Sequence, residues 1–422
     1  MRGQHRQRGQ HGPEDGRAEA DGLLLGSARV LWPEGVRLTR GRRPPAGTSD
    51  WLVLPAVAAP RWLVPARAPW TSAALEGQES SRLRRLGAAA LAAGHRRGLL
   101  ARLPLRRLRV ADTGSLVAAV RDHLGGPADV AVRLGSWQHA RTVVLRALAP
   151  DSSTLAFGKL GIDPAGRAAV RAETDALERV GGLGLRLVVH STVLHRGTWR
   201  GHELLLVSPL LADDGGTGGG DAGRPVDAMR ELAAAPGSRT APLADSGWWA
   251  RTTRRLADVD DPTLRAELGS HLQAVGRAAG TAPLGLGPCH GDWTAWNMVR
   301  DGERVLLWDW EHYGEDVPVG FDAVHFLAQE LRVHEGTGDA EERAWLDRAG
   351  AALRQDLGLP VAEQDVVLAA YLLDVNLRFV LDRQRTPLAA VARRGWGLPL
   401  LRSAVAALGE DSGGPAERTQ NG

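Results

Sequence analysis

The stretch "CHGDWTAWNMVRDGERVLLWDWEHYGEDVPVGFD", residues 289–322, sets Asp292 five residues before Asn297. A loop with that spacing lets a carboxylate reach a hydroxyl as base while an amide oxygen holds a magnesium ion. His290, two residues ahead of Asp292, orients the loop by hydrogen bonding and is not itself the base. Asp301-Gly302, between two apolar-alternating arms, signals a hairpin. A two-residue turn there pairs Asn297 with Leu306 and leaves Asp309 about three residues, roughly 10 Å of extended chain, further on. A bend has to absorb that offset. Asp309 then becomes the main Mg²⁺ ligand, since that ion takes carboxylate and phosphate oxygens. Glu311, two residues beyond and on the same strand face if the chain stays extended, is a further candidate metal ligand.

Composition bounds the rest. The 422 residues exceed one ordinary domain, so two or three units are expected. Apolar residues make up 43% and charged residues 24%, as in ordinary globular proteins. No run approaches ~18 uninterrupted apolar residues, so a membrane span is not expected. The polar first twenty residues lack the apolar core of a secretory signal, and a cytoplasmic protein is expected. Cys289 is the single cysteine, which excludes an internal disulfide and a cysteine-built zinc site. Residues 1–110 hold 20 arginines against 8 acids, +12, so the remainder carries −9. That basic region could dock a polyanion, but a solvated helix face is the plainer reading. The basic excess peaks over residues 81–110, where no aromatic residues interleave the arginines, so a nucleic-acid groove is not expected. Nothing in the sequence bears on oligomeric state.

Residues 1–22 and 411–422 read as disordered tails, and 23–127 as an N-terminal α/β accessory domain. From 128 the pattern changes. "VAVRLGS", "RTVVLRAL" and "TLAFGKLG" form an antiparallel meander, followed by a helix opening at Pro164. Residues 128–210 are thus a small antiparallel-sheet lobe and 211–410 a mainly helical lobe, with 212–225 a flexible glycine-rich insertion. Its setting is wrong for a phosphate loop, which needs a strand before it and a helix after.

The spacing of Asp292 and Asn297 is that of a kinase-type catalytic loop. His290-Gly291-Asp292, Asn297, Asp309-Trp310-Glu311, Val317-Pro318 and Asp322 together resemble the hallmark of the aminoglycoside phosphotransferase/choline kinase family. The resemblance runs from about Asp129 to Arg383, and the wording around it resembles a bacterial phosphotransferase subgroup with an N-terminal extension. It implies an α+β, two-lobed protein-kinase-like fold and dependence on ATP and Mg²⁺. It also implies a phosphate-binding lysine on the third strand of the meander. Lys159 stands there, and it is the chain's only lysine beside 51 arginines. A compact ammonium suits the phosphates where arginine's planar fork would misplace them. Glu173, fourteen residues on in the following helix, is its natural ion-pair partner. An accidental survivor of a coding bias is the competing reading of Lys159.

Gly135 and Ser136, in the loop between the first two strands, are candidate phosphate contacts, with a plain strand-turn role as the alternative. Asp322 is read as a carboxylate holding the catalytic loop. Trp293 and Trp296 lie inside that loop and could stack on an acceptor, though packing serves equally as an explanation. The expected activity is transfer of the γ-phosphate of ATP to a hydroxyl of a small molecule, whose identity the sequence does not disclose. Two alternatives stand beside it: a non-catalytic nucleotide-binding module, and a kinase of a macromolecular acceptor docked by the basic N-terminal region.

Overall fold

The computed structural model describes residues 13–40, 45–55, 61–75, 82–134, 142–212, 223–333, 339–384 and 397–410. Two compact units emerge: Met1–Val170 with Val193–Pro209, and Arg171–Thr192 with Leu210–Gly422.

The first unit opens with α1 (Pro13–Leu31), β1 (Val36–Thr39), β2 (Thr48–Leu54) and β3 (Trp62–Pro65), then α2 (Arg82–Arg96), β4 (Arg107–Ala111) and α3 (Leu116–Leu124). Next come the meander β5 (Asp129–Leu134), β6 (Thr142–Leu148) and β7 (Thr154–Gly161) and the start of α4 (Pro164–Gly181). After β8 (Val188–Val189), which belongs to the second unit, β9 (Val193–Trp199) and β10 (His202–Val207) complete it. All its strands join one sheet in the order β1-β4-β2-β3-β5-β6-β7-β10-β9. Alternation decides its two faces. Val130, Val132, Val143 and Leu145 pack against Leu24, Ala28 and Leu31 of α1 and Val117 and Val120 of α3. Opposite them, Leu52, Leu54, Val64 and Ala131 pack against Ala74, Leu75 and Ala92.

The expected boundary at 127/128 falls inside this sheet, because β3 pairs with β5 through Trp62↔Arg133 and Leu63↔Val132. The N-terminal strands thereby cover what would otherwise be the open edge of the meander. The tail expected over 1–22 is also partly structured, since α1 begins at Pro13. Residues 1–12 and 411–422, and 213–222 of the glycine-rich insertion, lie outside the described residues.

The second unit is mainly helical: α5 (Val226–Ala233), α6 (Gly247–Ala257), α7 (Pro262–Ala279), α8 (Phe321–Val333), α9 (Asp339–Leu357), α10 (Val361–Gln384) and α11 (Gly397–Glu410). Its strands are β8, β11 (Arg239–Pro242), β12 (Pro283–Cys289), β13 (Met298–Asp301), β14 (Arg304–Leu307) and β15 (Gly314–Pro318). The helical core centres on α10, whose Val367, Ala370, Leu373 and Leu377 are buried with Leu268, Leu272, Leu353 and Leu401. An antiparallel-sheet unit and a mainly helical unit give the expected α+β division. No helix among the described residues is long and apolar enough to cross a membrane.

Two small sheets position the loop at 290–297. β12 delivers the chain to it between β11 and β15, and the β13–β14 hairpin carries the chain away. β14 in turn pairs in parallel with β8. The short β8 is held by Glu231 of α5, whose carboxylate accepts hydrogen bonds from the backbone N–H groups of Arg186, Leu187 and Val188 at 2.7, 2.7 and 3.0 Å.

Candidate active site

The hairpin register brings Asn297 and Asp309 closer than the sequence suggests. Pairing runs Met298↔Leu307 to Asp301↔Arg304, so the turn is Gly302-Glu303 and not Asp301-Gly302. Gly302 takes the left-handed φ of +63° that this turn demands. Moving the turn by one residue moves each cross-strand partner by two, which places Trp308 opposite Asn297, with the Trp308 N–H donating to the Asn297 carbonyl at 3.1 Å. Asp309 is therefore the next residue, and no three-residue offset remains.

Asp309 itself has φ +73° and ψ +56°. Aspartate tolerates this left-handed region better than most residues, yet strain there concentrates at functional sites. The chain then enters a 3-10 turn, Trp310–His312. Glu311 consequently does not share an extended strand face with Asp309, which corrects the expectation. Its Oε1 lies 3.7 Å from Nε2 of His312.

The loop itself is pinned by three helix-borne groups. Asp322, at the start of α8, accepts from the N–H groups of His290 and Gly291 at 2.8 and 2.9 Å. Arg378 of α10 donates to the Gly291 carbonyl at 2.9 Å. Gly291 is left-handed, φ +78°, and a Cβ there would sit 2.2 Å from the carbonyl oxygen of His312. His325 of α8 places Nε2 2.9 Å from Asp292 Oδ1. Asn297 donates its Nδ2 to Asp292 Oδ2 at 2.9 Å and to the Asp292 carbonyl at 3.0 Å. With its NH₂ directed at Asp292, the amide oxygen of Asn297 points away from that carboxylate.

His290 is fully buried, and its two nitrogens have complementary roles. Nδ1 accepts from the Asp292 N–H at 3.2 Å, so Nε2–H donates to the Trp308 carbonyl at 3.1 Å. Burial pushes the imidazole down to about 4, the neutral form these bonds require. Burial also raises the Asp292 carboxyl, but the His325 hydrogen bond and the charges of His325, His312 and Arg378 outweigh it and hold that group well below the usual carboxylate range. Asp322 moves the other way: burial, opposed by its two N–H donors, lifts it to about 6.

The Asp322 shift has a testable sign. With a folded pKa of about 6 against an ordinary 3.8, its stabilising contribution is full below 3.8 and is lost as pH rises through 6. The unfolding free energy of wild type minus that of Asp322→Asn should fall by about 2–3 kcal/mol between pH 4 and 7. Urea titrations at the two pH values measure it. A pH-independent difference would mean that the carboxyl is not shifted.

The tryptophans separate. Trp293 is 0% exposed, with its indole N–H on Met298 Sδ at 3.4 Å and its ring edge-on to His290. It is a packing residue and offers no face to an acceptor. Trp296 is 54% exposed and Trp308 36%, so both present ring surface. Gly135 and Ser136 lie outside the described residues.

In the first unit, Lys159 sits mid-strand on β7, opposite Val144 and Leu205. The adjoining Gly161 is required by close packing, since a Cβ there would lie 2.5 Å from the backbone of Gly166 and Arg167 at the start of α4. Glu173, in the part of α4 that belongs to the second unit, is buried. His325, Tyr371 and Arg378 were not singled out by sequence reasoning. The available signals were weak: His325 follows Asp322 at helical i, i+3 spacing, and Arg378 interrupts an apolar helix.

No family model matches the chain, and no curated protein matches it. Among solved structures it is similar to a thermostable mutant of an aminoglycoside phosphotransferase, with 14% identity and a TM-score of 0.46, covering 69% of this chain and 99% of that one. It is also similar to an amicoumacin kinase complexed with AMP-PNP, Ca²⁺ and amicoumacin (12%, TM-score 0.42, 67% and 88% covered). A choline/ethanolamine kinase family protein from Mesorhizobium loti is a third (17%, TM-score 0.36, 69% and 98% covered).

Proposed function

We propose that the protein is a phosphotransferase that moves the γ-phosphate of ATP to a hydroxyl of a small molecule. The supporting observation is the Asp292 carboxylate, tethered at Oδ1 by His325 and at Oδ2 by Asn297, in a loop whose following hairpin ends on a left-handed Asp309.

The donor set suits Mg²⁺. No cluster of three or more His, Cys, Asp or Glu side chains is arranged to hold a metal among the described residues. One carboxylate, Asp309, and one amide oxygen, on Asn297, fit an ion that keeps waters and takes its remaining ligands from phosphate. When bound, the ion would neutralise phosphate charge. Asp292 would receive the acceptor hydroxyl's hydrogen bond and align its oxygen with the γ-phosphorus. A new P–O bond to that oxygen would form as the bond to the β-phosphate oxygen breaks, and the hydroxyl proton would leave towards Asp292. Lys159 is assigned to the nucleotide phosphates because the resemblance implies a lysine on the third strand of the meander. Trp296 is a candidate face for the acceptor.

The test is transfer of labelled γ-phosphate from Mg·ATP into fractionated metabolites of the source cells, with Asp292→Asn as the blank. A wild-type-dependent small-molecule product is expected. Asp309→Asn should raise the Mg²⁺ concentration for half-maximal rate by at least about tenfold, since losing even a residue that only supports a metal ligand costs about 10–100-fold. Label in protein or RNA would favour a macromolecular acceptor. Thermal stabilisation by Mg·ATP without any transfer would favour the binding module.

A further inference from the structure

His325 has contacts that the transfer reaction as described above does not explain. It lies on α8 and is 4% exposed. Its Nε2 approaches Asp292 Oδ1 at 2.9 Å, and its Nδ1 approaches the Tyr371 hydroxyl of α10 at 3.0 Å.

The chemistry of the partners fixes the hydrogen. An ionised carboxylate only accepts, so Nε2 carries a hydrogen and donates it to Oδ1. Tyr371 completes Nδ1 with a hydroxyl, which can serve as donor or acceptor. Gln329, one helical turn beyond His325, places its amide nitrogen 2.9 Å from the same Nε2. Two N–H groups cannot face each other, so an Nε2–H given to Asp292 requires the Gln329 amide turned end for end. With Nε2–H donating, the amide oxygen is the atom that suits that position.

Asp292 is therefore held from two independent directions. Asn297 belongs to the same loop and grips Oδ2, and by itself would let the carboxylate turn with the loop. His325 belongs to a helix anchored in the core and grips Oδ1. Two donors on two oxygens define the carboxylate plane, and with it the direction of the lone pairs left for a hydroxyl. Such donors also favour the ionised form, in keeping with the depressed pKa of Asp292. A carboxylate so held orients a hydroxyl before it takes up a proton.

We propose that His325, backed by Tyr371, is a positioning residue that sets the plane of the Asp292 carboxylate for the incoming hydroxyl. This role rests on the phosphotransferase reading.

Full-length His325→Ala, His325→Gln and Tyr371→Phe test it through Mg²⁺-dependent release of phosphate from ATP, with water as acceptor, and through the labelled transfer above. His325→Ala should lose about a hundredfold in kcat while KM for Mg·ATP stays within about threefold. The glutamine amide can donate to the same oxygen, so His325→Gln should recover about tenfold of that loss. Tyr371→Phe should cost about fivefold, since it removes one neutral hydrogen bond. Wild-type kcat in His325→Ala, or equal losses in the alanine and glutamine variants, overturns the role and leaves the phosphotransferase reading standing. A wild-type protein that neither hydrolyses ATP nor transfers its phosphate overturns both.

A second readout needs no turnover. Histidine-ring NMR of the wild-type protein, assigned by the resonance missing from His325→Gln, should show a hydrogen on Nε2 that shifts in Asp292→Asn. A bare Nε2 overturns the proposal.

Discussion

Asp292→Asn is expected to lower phosphoryl transfer by about a thousandfold, within the range for a positioned acid or base. Two effects combine. Neutralising the carboxylate removes the group that receives the hydroxyl proton. The substitution also cannot be silent structurally, because both oxygens face donors: His325 Nε2 at 2.9 Å and Asn297 Nδ2 at 2.9 Å. Whichever way the new amide turns, its NH₂ meets one of them, and that contact changes from attraction to repulsion. If the NH₂ faces Asn297, the amide oxygen of Asn297 rotates out of place and the Mg²⁺ response weakens as well. The measurement is kcat with Mg²⁺ titrated at saturating ATP. A loss below about tenfold would mean that Asp292 is not the hydroxyl's partner.

The same site shows what the sequence made legible. Local spacing was enough to nominate Asp292, Asn297 and Asp309, because they lie within one continuous stretch and the chemistry limits which residue types can serve, whereas Asp322 came from the family resemblance. The hairpin was legible too, but its register was not. Asp-Gly reads as the turn pair, whereas the observed turn uses Gly302 at its first central position and Glu303 at its second. Moving the turn by one residue changes every cross-strand partner by two. Here it removes the bend that the unshifted register required.

Long-range contacts stayed hidden for a different reason. His325 and Tyr371 meet across 46 residues, and Arg378 reaches Gly291 across 87. Both α10 residues belong to a helix whose apolar composition reads as core. It is core along one side, and through Tyr371 and Arg378 it also braces the loop. The 127/128 boundary failed for the same kind of reason: the β3–β5 pairing joins strands whose sequences carry no sign of each other. Burial of Trp293 likewise follows from the packing of His290 and Met298 around it, which loop position alone does not disclose.

Gly291→Ala should destabilise the protein by about 4 kcal/mol, near the upper end for a single substitution. Conformation accounts for only part of that. At φ +78° an L-residue costs roughly 1–2 kcal/mol. The larger part is steric, since the new methyl would lie 2.2 Å from the His312 carbonyl oxygen, a backbone atom that cannot rotate away. Nor can Gly291 retreat: its N–H is held by Asp322 at 2.9 Å and its carbonyl by Arg378 at 2.9 Å. Relief requires breaking one of those bonds or shifting the 3-10 turn that follows Asp309. Gly302→Ala supplies the control. It is also left-handed, φ +63°, but a Cβ there meets nothing within 4 Å. Its cost should therefore be the conformational part alone, about 1 kcal/mol. Urea unfolding of the two variants separates the contributions. Equal losses would mean that the catalytic loop yields to the methyl, and that the clasp of Asp322 and Arg378 on Gly291 is weaker than the geometry indicates.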